Sequence, residues 1–224
     1  MTPSRTAQTT LSDDEFRTLC RYWLGLPLLP DGHCVLCPLC GECSDPFGDH
    51  FVNCRKNGWS RRHNAVRDEI CRTLTFAGIT FAKEVPVPGK TRPADILLTN
   101  WAKAGDVCID LTITNPLQSE NWPLQKDTAF THLTLAERNK HTKHRDACEK
   151  QRWSSHPAAF SPWGGCGPAA KSLLRDVISR VVGDQHPTVR DGRTREIREN
   201  LSLTLAREVS KQLSLKNRVL ESLY

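Results

Sequence analysis

Two carboxylates, Asp95 and Asp110, have the surroundings from which hydrolytic chemistry can be built. Asp95 opens the run Asp-Ile-Leu-Leu after Pro93-Ala94, and Asp110 interrupts the otherwise apolar run Val107–Ile113. Short stretches of Val, Ile, Leu and Thr bounded by Gly and Asn read as strands. If the two strands are neighbours, both acids project toward one point at a sheet edge. Two such carboxylates repel unless something neutralises them, and a hard divalent cation held by oxygen ligands does so.

A second constellation lies upstream. The chain has ten cysteines, and five of them crowd between Cys34 and Cys54. Cys37-Pro-Leu-Cys40-Gly41 has the form of a zinc knuckle, with a glycine that lets the backbone turn beneath the second sulfur. His50 and Cys54 are separated by three residues, as on one turn of helix. Cys37, Cys40, His50 and Cys54 would close a tetrahedral Cys₃His site with no open position, a structural Zn²⁺. Cys34, Cys37, Cys40 and Cys43 form a rival set, but four thiols at steps of three crowd one another. Metal here would supply folding energy that a small loop-rich segment lacks.

The elements that must carry these residues follow from periodicity. Residues 1–11 read as a disordered polar tail. Ser12 opens a helix with Glu15 completing a capping box, and Phe16, Leu19, Cys20 and Trp23 form its apolar face. A helix over Ser60–Ala77 carries Val66, Ile70 and Leu74 on a line of four, and Gly78 ends it. Ile79–Val87 alternates as a half-buried strand bearing Glu84. A long helical pattern from Lys126 to Trp153 sets Leu133, Ala136, Lys140 and Lys143 or His144 along one face, and Ala158–Trp163 suits a last strand. Ala169–Val182 reads as a further helix, residues 184–193 as a polar linker, and residues 194–224 as a final helix with Ile197, Leu201, Leu205, Val209 and Leu213 stepping by four. Domain bounds follow: helix and knuckle at 12–58, an α/β core at 59–183, then linker and helix.

Composition narrows the partners. A chain of 224 residues that is 38% hydrophobic can bury a core, and a net charge of +6 suits an anionic partner without requiring one. No apolar stretch is long enough to span a membrane, and the N-terminus lacks a signal-peptide core. The expected setting is intracellular, where thiols stay reduced and clustered cysteines serve metal.

Taken together, the order helix, strand with Glu84, strand with Asp95, strand with Asp110, helix with Lys140 and Lys143, strand, helix resembles the PD-(D/E)XK nuclease superfamily. The nearer likeness is to the restriction-like endonuclease domain of site-specific non-LTR retrotransposon polyproteins, in which a Cys-Cys-His-Cys knuckle precedes the nuclease core. CPLC, DPFGDHFVNC, RRHNAVRDEI, RPADILL and IDLTITNPL stand here in the order of that arrangement, over residues 12–182. The resemblance implies a mixed sheet flanked by helices, an αβββαβ core with an N-terminal zinc knuckle and a C-terminal helical extension.

It also implies roles. Asp95 matches the acid of the PD motif and Asp110 that of (D/E)XK. Both would hold Mg²⁺ or Mn²⁺, with the Leu111 carbonyl as a third ligand and Glu84 as an outer one. The sequence departs from the motif twice: Ala94 separates Pro93 from Asp95, and Thr112 stands where the motif lysine belongs, so Lys140 or Lys143 would supply the ammonium. Arg61, Arg62, His63, Lys90 and Arg92 would line the mouth and hold phosphates. The expected activity is metal-dependent nicking of DNA for insertion, in the nucleus, beside the other domains of a retroelement polyprotein, with RNA as a further partner. The alternatives are a catalytically decayed nucleic-acid-binding module and a remnant used for protein interaction.

Overall fold

The computed structural model describes residues 10–29, 35–86, 94–101, 105–117, 130–183 and 185–221. Cys34, Lys90, Arg92, the expected tail over 1–9 and the expected start of the long helix at Lys126 lie outside them. No helix among the described residues is long and apolar enough to cross a membrane.

The order is α1 (Asp13–Trp23), β1 (Val35–Leu36), β2 (Cys43–Ser44), α2 (Asp49–Asn53), α3 (Trp59–Phe76), β3 (Phe81–Val85), β4 (Ala94–Leu98), β5 (Val107–Ile113), α4 (Thr131–Lys150), β6 (Ser154–Phe160), α5 (Pro168–Val182), α6 (Pro187–Leu213) and α7 (Leu215–Glu221). β1 and β2 form a small antiparallel ribbon. The main sheet runs β3-β4-β5-β6, with β6 parallel to β5 and the other two pairs antiparallel. This is a mixed sheet with helices against it, as expected. β6 begins earlier than Ala158 and contains Pro157, which an edge strand tolerates because its lost N–H would face outward.

The core is continuous across the sheet and the C-terminal helices. Val66, Ile70 and Leu74 of α3 pack with Ile96, Leu98, Ile109 and Leu111 of the central strands, and with Leu173 and Val177 of α5. Leu201, Leu205, Val209 and Leu213 of α6 join the same cluster, so their four-residue step covers this core. The polar stretch expected as a linker is largely helical, because Pro187 occupies the first turn of α6, where its missing N–H is no loss and its fixed φ suits the helix.

α1 keeps its capping box, with Glu15 N donating to Ser12 Oγ at 3.2 Å and Ser12 N to Glu15 Oε2 at 2.8 Å. Its buried face differs from the expected one. Thr18, Leu19 and Tyr22 turn inward, whereas Phe16 and Trp23 are exposed. Tyr22 wins the inward position because its ring stacks on Trp163 at 4.6 Å while its hydroxyl reaches Asp49 Oδ1 at 2.9 Å. A tyrosine is buried at little loss when its polar tip is bonded.

Candidate functional site

The strand register brings the two acids together. Ile96 pairs with Ile109, so the residue before the first and the residue after the second, Asp95 and Asp110, stand opposite one another. Cross-strand residues share a face of the sheet. Backbone and side chains tie the pair further. Leu111 N donates to Asp95 Oδ2 at 2.6 Å. His63 Nε2, from the first turns of α3, lies 3.2 Å from Asp95 Oδ2 and 3.3 Å from the Leu111 carbonyl oxygen. Those two oxygens therefore converge on one point, occupied by an imidazole nitrogen.

Asp110 is held from the other side by α4. Lys140 Nζ donates to Asp110 Oδ1 at 2.9 Å, and His144 Nε2 lies 3.4 Å from Oδ2. Oδ2 is buried and makes no hydrogen bond among the described residues. Residues 140 and 144 lie one turn apart on the buried side of α4, so both reach the sheet. Lys143 is on the exposed side and does not. Of the two expected lysines, Lys140 alone meets an acid among the described residues.

The two carboxylates are tuned apart. Burial pushes Asp110 up to about 6, with the Asp95 charge adding to the rise and Lys140 opposing it. Burial also works to raise Asp95, but the hydrogen bond and charge of His63, the Leu111 N–H and Lys140 outweigh it and hold Asp95 below the usual carboxylate range. His63 is raised in turn, because Asp95 outweighs the penalty of its burial. His144 is lowered by burial and by Lys140. One acid is thus held toward its charged form by its hydrogen bonds, and the other is buried, with Lys140 on one oxygen and no hydrogen bond to the other among the described residues. An orphaned buried carboxylate oxygen next to a second carboxylate and an inward carbonyl is a donor set that fits a hard divalent cation.

Glu84 does not join them. Lys83 pairs with Ile96 and Val85 with Ala94, so Glu84 stands in the row of Asp95 and Asp110. Its φ of 50° breaks the ladder at this point, and its carboxylate pairs with Arg67 of α3, which also donates to Asp68. The expected outer ligand is instead neutralised by an arginine one turn beyond His63.

The expected phosphate contacts divide. Arg61 is half exposed and donates to Glu208 Oε2 at 2.8 Å. Arg62 is 1% exposed and cannot reach a ligand. Its Nη1 donates to the Val52 carbonyl at 3.2 Å and to Gln212 Oε1 at 2.9 Å, binding α2, α3 and α6, and burial pushes its pKa down to about 10. His63 faces the acid pair. The basic RRHN string predicts a cationic surface, but only burial can show which arginine has been recruited as a strut.

The upstream cluster assembles from Cys37, Cys40, His50 and Cys54, whose ligand atoms all lie within 4.8 Å of one another. Cys40 Sγ is 3.2 Å from His50 Nε2, and Cys37 Sγ is 4.0 Å from Cys54 Sγ. Zn–S bonds of about 2.3 Å in a tetrahedron put sulfurs a little under 4 Å apart, so the separations suit zinc. Cys43, from the rival set, is not a member. Asp45 organises α2 by accepting N–H groups from Phe47, Gly48 and Asp49 at 2.8–3.0 Å on Oδ1 and from His50 at 2.5 Å on Oδ2. Gly48 admits nothing larger, since its φ is 95° and a Cβ would meet Leu28 and Leu213 side chains at 2.8 and 2.9 Å.

Glu137 is a buried acid that spacing in the sequence does not mark. Glu137 accepts from Ala159 N at 3.2 Å and Ala170 N at 3.0 Å on Oε1, and from Ala169 N at 3.0 Å on Oε2. It caps α5 from α4 and fixes the helix that carries Lys140. The pairing Glu137…Gly167-Pro168 was its only trace, a helix start with no capping side chain of its own. No protein-family model matches this sequence, and no curated protein matches it.

Proposed function

We propose that this chain is a metal-dependent DNA endonuclease domain of the restriction-like kind found in non-LTR retrotransposon polyproteins, working on nuclear DNA with a structural zinc upstream. The observation that carries the reading is Asp110: ionisable, buried, opposite Asp95, with Lys140 on one oxygen and, among the described residues, no hydrogen bond on the other.

In this reading Asp95, Asp110 and the Leu111 carbonyl would hold Mg²⁺ or Mn²⁺. Such an ion lowers the pKa of bound water and offsets charge on the phosphate. Lys140 keeps Asp110 ionised in a buried setting and presents an ammonium N–H to charge growing on the phosphoryl oxygens. His63 holds Asp95 in place and, with its proton, competes for the point at which the oxygens converge. His144 flanks Asp110 from the dry side and limits water there.

A second reading also has an observation behind it. Protein groups already sit on both acids, the His63 imidazole on Asp95 and the Lys140 ammonium on Asp110. A nucleic-acid-binding module that no longer hydrolyses would have the same arrangement. Plasmid nicking with Mg²⁺, Mn²⁺ or EDTA, on wild type, Asp95→Ala and Asp110→Ala, separates the two. The hydrolytic reading requires metal-dependent nicking by wild type that both variants lose. Nicking that is equal in all three excludes it.

A further inference from the structure

We propose that Trp59 is a stacking platform for an unpaired base, so that the strand entering the Asp95–Asp110 site is presented single-stranded or locally opened. This inference rests on the hydrolytic reading only for taking the partner to be nucleic acid.

Large aromatic side chains tend to be buried, yet Trp59 is 48% exposed in the first turn of α3. Trp59, His63 and Arg67 are spaced by four residues and so share one face of the helix. His63 on that face touches Asp95 and Leu111, and Arg67 touches Glu84. Trp59 therefore lies one helical turn, about 6 Å along the axis, from the residue that contacts the acid pair.

The turn that leads into it is cationic. Arg55 and Lys56, in the turn between α2 and α3, are exposed, and neither forms an ion pair among the described residues. Arg61, Arg67, Arg72, Lys83 and Lys140, by contrast, each have a carboxylate. The first turn of α3 also lacks a side-chain cap, since Gly58 is its N-cap. An exposed indole beside unpaired cations and uncapped N–H groups matches the combination by which single strands are held: charge along the backbone and an aromatic face for a base. A duplex offers the charge but not the base face, which is already stacked, so Trp59 should discriminate between the two forms.

The test measures fluorescence anisotropy of labelled oligo(dT) and of a duplex of equal length, with zinc-loaded protein and no added Mg²⁺ or Mn²⁺. Trp59→Ala is expected to weaken oligo(dT) binding about tenfold or more, as loss of one stacked base does. Trp59→Phe should retain most of the affinity, and duplex binding should change less than about twofold. Joint replacement of Arg55 and Lys56 by Gln should weaken both ligands and flatten their salt dependence. Unchanged oligo(dT) binding by Trp59→Ala overturns the proposal, and so does an equal loss on duplex. Poly-glutamate bound with the same dependence on Trp59 would assign the surface to acidic protein segments and also overturn it. Because no catalytic metal is present, this result is independent of whether the chain nicks DNA. Selective loss at Trp59 with no nicking by wild type would retire the hydrolytic reading and leave the platform standing.

Discussion

Asp95 and Asp110 stand opposite one another on adjacent strands, yet their acidities are displaced in opposite directions. The asymmetry comes from the two helices that flank the sheet. α3 delivers a histidine to the more accessible acid, and α4 delivers a lysine to the buried one. Environments that push neighbouring titratable groups apart are a recurring mark of functional sites.

The choice between two lysines is open to direct measurement. Lys140→Ala should lower the nicking rate about a hundredfold or more, the loss typical of removing a donor to developing charge. Lys143→Ala, on the solvent side of α4, should stay within about threefold of wild type. Rates on supercoiled plasmid at saturating Mg²⁺ decide it, and similar losses in both variants would remove Lys140 from the site.

Asp110 makes stability depend on pH. Its carboxyl is near 6 in the folded chain and near 3.9 when unfolded, so the native state binds the proton more tightly. Folding is therefore favoured at low pH, and the advantage is lost as pH rises from about 4 to 6. The stability of wild type minus that of Asp110→Asn should fall by roughly 1.4 kcal/mol per pH unit below 6 and level off above it. Urea unfolding of both proteins between pH 5 and 8 tests this, and the subtraction removes any pH dependence shared through the thiol cluster.

Glu137 should matter for stability as much as a core residue. Glu137→Ala strips the buried N–H groups of Ala159 and Ala170, and that of Ala169, of their acceptor, and about 3 kcal/mol or more should be lost. Gly167→Ala should be comparably harmful, since a Cβ there would lie 2.2 Å from Glu137 Oε1. A loss of unfolding free energy below about 1 kcal/mol in either variant, read from urea denaturation, would contradict the buried cap.

The thiol cluster should bind one zinc per chain, measured by metal release to a chromogenic chelator. Cys37→Ser or Cys54→Ser should lose that metal and loosen α7 as well, because Leu215 and Val219 pack against Cys37, Phe51 and Cys54. Faster amide exchange in both segments of the variants would show it. Zinc loss with α7 protection unchanged would mean the helix is held from elsewhere.

Replacement of Arg62 should separate a strut from a phosphate contact. Arg62→Ala leaves the Val52 carbonyl and Gln212 Oε1 without their donor and should cost about 2–3 kcal/mol of stability. The salt slope of DNA binding should not change, since a neutralised phosphate would contribute about one unit to it.

Local chemistry determined much of this protein from sequence alone. The capping box at Ser12 and Glu15, the α3 line Val66–Ile70–Leu74, the two strands around Asp95 and Asp110, and the Cys37–Cys54 ligand set depend on interactions spanning a few residues to a short loop. Spacing records such interactions directly. What only the tertiary structure decided depends on contacts between distant elements. These include the burial of Arg62 beneath Gln212, the capture of Glu84 by Arg67, the choice of Lys140 over Lys143, the cap that Glu137 places on α5, and the inward turn of Tyr22 instead of Trp23. In each case the residue type admits several partners at similar free energy, and long-range packing selects one by which groups it removes from water.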